Sequence, residues 1–313
     1  VFVHCARRVQ RLYADAVARA DGAGRERAVG VATELAVHLV ENFASINTPE
    51  FCSEVSGIPF VPVTTPGGEE GLVRFSDACS PAELVLVWAV MPVLKPCLKL
   101  NDVMRDRLRV LSPPPPAAVV ANLLSVGPET MARWPLEERV GAVFQRMYDF
   151  VWERWGDVSA EEKQALRSAP IIPAGGELVR ASRVFFRLQG AYAPFMFELP
   201  RCFGAQEALL RELGVREAPS ASDLTHFLRE VGVECEGQPL NPNELSAVVR
   251  VLESLSDAGY RPDPARPLLI PDTAGLLVPA HSCFRCQDLA LLRRVDTGLV
   301  HLASPLLSGE VCE

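Results

Sequence analysis

Apolar positions recur along this chain with helical spacing, and three times the pattern breaks into a short strand-like run closed by proline. Leu136, Val140, Val143, Met147 and Val151 step by three and four, which places them on one face of a helix. Leu245, Val248, Leu252 and Leu255 form a second stripe of this kind. Val31, Leu35, His38 and Leu39 mark a third. Start signals accompany the stripes. Asn241-Pro242-Asn243-Glu244 combines an N-cap residue, proline at the first helical position and an acid at the third. Ser159-Ala160-Glu161-Glu162 has capping-box spacing, and Thr48-Pro49 opens a short helix.

The strand-like runs are Ile58-Pro59-Phe60-Val61-Pro62, Ala169-Pro170-Ile171-Ile172-Pro173 and Pro267-Leu268-Leu269-Ile270-Pro271. Each leads into glycine (Gly67-Gly68, Gly175-Gly176, Gly275) and then an apolar pair, Leu72-Val73, Leu178-Val179 or Leu277-Val278. Glycine supplies the turn conformations and the apolar runs favour a buried strand, so each reads as a hairpin. Proline removes a ladder donor, which predicts strands at a sheet edge or very short ones.

The flanks recur as well. Pro96 leads to a helical stretch over Asn101–Val110 and then a helix ending at Val126-Gly127. Pro200 leads to Ala205–Leu213 and then a helix ending at Val231-Gly232. The prolines stand 104 residues apart (200 − 96) and the glycines 105 (232 − 127). The expected fold class is α+β, predominantly helical, in tandem units of about 100 residues, each with helices and a proline-marked hairpin. The expected boundaries are 1–127, 128–236 and a partial third unit at 237–313.

Composition narrows the function. Apolar residues make up 49% and charged residues 22% of 313, an ordinary globular balance. A net charge of −8 argues against a nucleic-acid partner, and the cluster Arg7, Arg8, Arg11 reads as a solvated helix face. The longest apolar run, Leu84 to Leu94, contains Pro92 and falls well short of the ~20 residues a membrane span needs. Nine scattered cysteines without framework spacing, and no leader at the start, predict reduced thiols in the cytoplasm or the nucleus. With Val at position 1, a start within a probable helix and a close on Glu310-Val311-Cys312-Glu313 without a terminal element, the sequence reads as a segment of a larger protein.

Little of it looks catalytic. His281-Ser282-Cys283-Phe284-Arg285-Cys286 offers Cys283, Cys286 and His281 as metal-ligand or redox candidates. A structural zinc takes four ligands and a second Cys-x-x-Cys is lacking, so core-filling cysteines are the competing reading. No phosphate-cradling glycine motif occurs, and no cofactor is expected. His38 and His226 read as core-edge residues on helices. Phe185, Phe186, Tyr192, Phe195, Met196 and Phe197 crowd one irregular stretch and are candidates for a protein-contact surface. The competing reading is that they roof the core beneath the hairpin, as Leu84–Leu94 would in the first unit.

From Ala169 to Leu302 the assembled strings resemble the sacsin family, including its plant NO VEIN-like relatives. They are Ile-Ile-Pro…Gly-Glu-Leu-Val, Phe-Glu-Leu-Pro, Leu213-Gly214-Val215, Leu240-Asn241-Pro242-Asn243-Glu244-Leu245 and Leu269-Ile270-Pro271-Asp272. The resemblance implies a very large parent protein with repeated ATPase modules, each followed by a helical, hairpin-bearing region. This chain resembles that second region, since the ATPase hallmarks Glu-x-x-x-Asn-x-x-Asp and Asp-x-Gly-x-Gly are absent from it. The implied role is non-catalytic, in chaperone-like quality control, with neighbouring ATPase modules and client proteins as partners. The alternatives are a scaffold for one defined partner, and a thiol or zinc site at Cys283 and Cys286.

Overall fold

The computed structural model describes residues 1–132, 139–188, 192–261, 263, 267–284 and 301–302. The fold is α+β and predominantly helical: among the described residues it is 56% helical, with 13 helices and sheets of two or three strands. The chain parts into two compact units, Val1–Ile171 and Ile172–Glu313. None of the described helices is long and apolar enough to cross a membrane.

The first unit opens with α1 (Phe2–Ala18) and α2 (Gly22–Glu41), then α3 (Phe43–Ile46) and α4 (Pro49–Ser56). The Asp21 side chain caps α2 by accepting from Gly24 N–H at 2.9 Å, and Thr48 caps α4 from Phe51 N–H. Alanines let α1 and α2 approach closely: Ala6, Ala28, Ala32 and Ala36 are all buried. The buried stripe of α2 is therefore shifted from the expected one, and Val31 and His38 lie on its exposed side.

A hairpin follows, of β1 (Val61–Thr64) and β2 (Glu70–Val73), with β3 (Val93–Leu94) completing the sheet in the order β2-β1-β3. All pairings are antiparallel. Proline thus sits in a central strand, not at an edge. That is tolerable because β1 is four residues long and Pro62 contributes its carbonyl, which accepts from Lys95 N–H. Between β2 and β3 lie a 3₁₀ turn at Phe75–Asp77, another at Pro81–Glu83, and α5 (Leu84–Val87). The unit continues with α6 (Asp102–Leu108), α7 (Pro116–Ser125), α8 (Pro128–Ala132), α9 (Val140–Glu153) and α10 (Ala160–Ser168). The α10 capping box at Ser159 and Glu162 forms as its spacing predicts. α9 buries Val143, Phe144, Met147, Tyr148 and Val151, and it packs on α5 and α7. Around the sheet, Phe60, Phe75, Val61, Val63, Leu94 and Leu108 build the main core.

The division between units falls inside β4 (Pro170–Ala174), which pairs with β5 (Glu177–Arg180). After a 3₁₀ turn at Ala181–Arg183 come β6 (Val184–Phe185) and β7 (Phe197–Glu198), which pair in parallel. A 3₁₀ segment at Arg201–Gln206 leads into α11 (Glu207–Leu213), then α12 (Ala221–Glu234) and α13 (Pro242–Asp257). α12 does not stop at Gly232, and the glycine is explained by packing. A Cβ there would lie 2.6 Å from Leu269 Cδ1. Leu269 belongs to the last hairpin, β8 (Leu269–Pro271) with β9 (Leu277–Pro279). A 3₁₀ turn at Ala280–Ser282 then precedes β10 (Cys283–Phe284), which pairs in parallel with β11 (His301–Leu302). The core here is formed mainly by α12 and α13, with Leu224, Phe227, Leu228, Val231, Val248, Val251, Leu252 and Leu255.

Candidate functional site

Among the recesses of the first unit is a cleft of about 300 Å³ at the tip of the first hairpin. One wall is the turn Thr65–Gly68. Its shape is fixed locally: Thr65 N–H donates to Glu69 O and Gly68 N–H to Thr65 O, both at 2.8 Å. Gly68 takes φ +80°, a conformation glycine adopts without penalty. The opposite wall is Leu84, Trp88, Ala89 and Met91.

That wall is apolar and is held by a polar pin. Asn122 on α7 is fully buried, and its Oδ1 accepts the Ala89 backbone N–H at 2.8 Å. Its Nδ2 faces Met147 Sδ at 3.3 Å. Ser125, Glu129 and Thr130 close the end of the cleft, where Thr130 Oγ1 donates to Ser125 O. Among the described residues the lining combines apolar groups, hydroxyls and one carboxylate, with no histidine, cysteine, lysine or arginine. Such a surface can bind by shape, burial and a single negative charge.

The aromatic stretch proposed as a contact surface is mostly interior. Phe185, Tyr192, Phe195, Met196 and Phe197 are each at most 8% exposed, and four of them belong to the core beneath the third hairpin. Phe195 packs against Phe227 in a tilted contact, 5.1 Å between centroids, and Tyr192 Oη hydrogen-bonds Ser254 Oγ at 2.7 Å. Phe186 is half-buried under the Arg211 guanidinium, 4.4 Å from its ring centre. Burying five large side chains outweighs offering them to a partner, so this stretch supplies core and not a free surface.

Of the Cys-x-x-Cys candidates, Cys286 lies outside the described residues. His281 is exposed and Cys283 half-buried against the second unit's core. Among the described residues, no group of three or more His, Cys, Asp or Glu side chains could hold a metal ion. Burial, with Glu83 adding to it, pushes the Cys79 thiol up to about 12, and Cys52 and Cys235 are also raised, chiefly by burial. His38 is exposed and its ring Nδ1 lies 3.2 Å from Asn42 Nδ2. His226 is exposed beside Glu230 at 3.5 Å.

Sequence reasoning missed the cleft. Gly67-Gly68 signalled a turn and Leu84–Leu94 a buried element, but nothing in either string says that the two face each other across open space.

Comparison with known proteins adds one similarity. Human sacsin is 22% identical to this chain over 262 residues, a match covering 70% of the chain and 6% of sacsin. The chain thus corresponds to a small part of that much longer protein. No protein-family model matches the chain, and no solved structure matches it.

Proposed function

We propose that this chain is a non-catalytic structural and interaction segment of a large sacsin-like protein, built from tandem units of the kind its sequence outlines. In that setting it links ATPase modules of the parent chain or contacts client proteins. The similarity to sacsin supports the relationship, and the resemblance supplies the quality-control role.

The observation that carries the reading is how closely the two halves match in internal detail. Leu94 N–H donates to Cys79 O in the first, and Leu199 N–H to Phe185 O in the second. Leu111 bridges Cys79, and Arg216 bridges Phe185. α6 and α11 both end in a left-handed residue, Arg109 and Gly214. On α7 the buried positions are Val119, Val120, Asn122 and Leu123; on α12 they are Leu224, Thr225, Phe227 and Leu228, each 105 residues on (224 − 119). α13 buries Ala247, Val248, Val251, Leu252 and Leu255, each 104 residues after its counterpart on α9 (247 − 143).

Boundaries of the repeat and of packing then differ for a physical reason. Within each compact unit, the last helix of one proposed repeat packs on the first long helix of the next, as α7 does on α9 and α12 on α13.

Calorimetry with ATP and a turnover assay test the non-catalytic part: saturable nucleotide binding or hydrolysis by the purified chain would sink it. Suppression of a model client's heat aggregation supports client contact. Capture of one stoichiometric partner, without affinity for unfolded protein, supports a dedicated scaffold in its place.

A further inference from the structure

The same equivalence between halves bears on the cleft. In the second half, the Phe197 ring lies directly on the hairpin turn: a Cβ on Gly175 would sit 2.3 Å from its Cε1. Phe197 itself is 8% exposed. Glu198 follows it and pairs with Phe185, as Val93 pairs with Cys79 in the first half. The residue preceding Val93 is Pro92, so no ring stands at that position in the first half. A Cβ on Gly68 would meet nothing within 4 Å, and one on Gly67 only Thr65 Oγ1 at 3.9 Å. Phe197 thus covers one glycine of the second turn, Gly175, while Gly176 is open; the first tip borders a cleft of about 300 Å³.

Among the described residues lining the cleft, Glu129 is the one charged side chain. Glu129 lines it and the exposed Glu69 ends the turn, and neither has an ion-pair partner among the described residues.

We propose that this cleft binds an aromatic side chain presented, with flanking basic residues, on an extended segment of another polypeptide. The ring takes the place that Phe197 holds in the second half, between the Thr65–Gly68 turn and the Leu84–Met91 wall. The basic flank faces Glu129, the carboxylate of the cleft lining. This deepens the interaction-segment reading and rests on it.

The test uses the full chain and a seven-residue peptide with a central phenylalanine and an arginine two positions to each side. Binding is followed by tryptophan fluorescence and calorimetry. Replacing the phenylalanine by alanine should weaken binding roughly ten- to a hundredfold, the loss expected when a ring is no longer buried. Leu84→Asp, at a residue 36% exposed on the cleft wall, should abolish it. Glu129→Gln should weaken it about two- to fivefold and reduce its salt dependence. Since Glu129 is a surface residue, that arm holds even if Leu84→Asp does not fold.

Equal affinity for the alanine peptide, or binding indifferent to both substitutions, would overturn the proposal. So would concentration-dependent self-association that closes the cleft to the peptide. If the chain suppresses client aggregation while the cleft variants do so equally well, the cleft assignment fails and client contact stands. If the peptide binds in the cleft but aggregation is unaffected, the site stands and the client reading fails.

Discussion

Asn122→Ala is the perturbation that most directly probes how the cleft wall is held. Asn122 is fully buried on α7 and accepts the Ala89 N–H at 2.8 Å across 33 residues of sequence. Alanine removes the acceptor and leaves that amide without it. A buried unsatisfied amide costs about 1–3 kcal/mol, and Ala89 is only half-buried, so water recovers part of the loss and the lower half of the range applies. The void left by the amide adjoins Met147, a flexible side chain able to refill much of it, which adds on the order of 0.5–1 kcal/mol. The expected destabilisation is about 2 kcal/mol in total. All four tryptophans (Trp88, Trp134, Trp152, Trp155) fall within Val1–Ile171. Urea unfolding followed by tryptophan fluorescence therefore reports on that unit and leaves the other silent. Amide exchange at Ala89 provides the local check, with protection falling by roughly thirtyfold for such a change. An unchanged unfolding midpoint, with Ala89 equally protected in both proteins, would refute the assignment of Asn122 as the pin.

Three further predictions concern other parts of the chain. Gly175→Ala should cost about 2–4 kcal/mol, because φ is +62° and the new methyl overlaps the Phe197 ring; Gly175→Ala combined with Phe197→Leu should recover part of it in a circular-dichroism melt. Asp223 should make α12 acid-sensitive: burial alone would raise its pKa, but hydrogen bonds from Ser220 and Arg216 outweigh that and hold it below the ordinary 3.8. A depressed carboxylate contributes stability that is present above the unfolded value and lost as pH falls through the folded one. Asp223→Asn should therefore cost on the order of 1 kcal/mol near neutral pH, and the difference should vanish in acid below the depressed pKa, as read from urea midpoints across pH. Finally, iodoacetamide at neutral pH should label the exposed Cys97 quickly while Cys52 and Cys79, both at most 2% exposed, react only after unfolding, as mass spectrometry would show.

What the sequence made legible was local chemistry. The capping boxes at Ser159 and Asn241 and the proline-and-glycine hairpins each form where their residues stand, because their determinants lie within a few positions of one another. What it hid was long-range. β6 and β7 are two residues long and pair in parallel, a ladder too short to leave any periodicity. The buried stripe of α2 runs through Ala28, Ala32 and Ala36, whose small side chains read as neutral until a partner helix is seen to need close approach. Gly232 reads as a helix stop and is a packing gap for Leu269. The aromatic stretch around Phe195 carried two readings of equal composition, and only burial decides between core and surface.

The cleft becomes intelligible when the two halves are set against each other. On the proposed repeat, Phe185, Phe197 and Phe227 of the second half stand where the first half has Cys79, Pro92 and Asn122. Of these rings Phe197 is the one that lies on its hairpin turn, against Gly175, and the first hairpin tip has no such cover. A wall that has lost its aromatic support would relax inward to close the gap, because interiors tolerate few voids. The buried Asn122 opposes that collapse in a way another apolar side chain could not. Its hydrogen bond to Ala89 is directional and fixes the wall at one distance, whereas a hydrophobic contact is satisfied by any closer approach. Burying an amide costs desolvation that a phenylalanine at the same place avoids. On this reasoning the stability forgone at Asn122 holds the cleft open, and its third consequence can be measured: Asn122→Ala should weaken the arginine-flanked phenylalanine peptide even though Asn122 does not line the cleft. Peptide affinity unchanged in a folded Asn122→Ala chain would separate the pin from the cleft and leave Asn122 a purely structural residue.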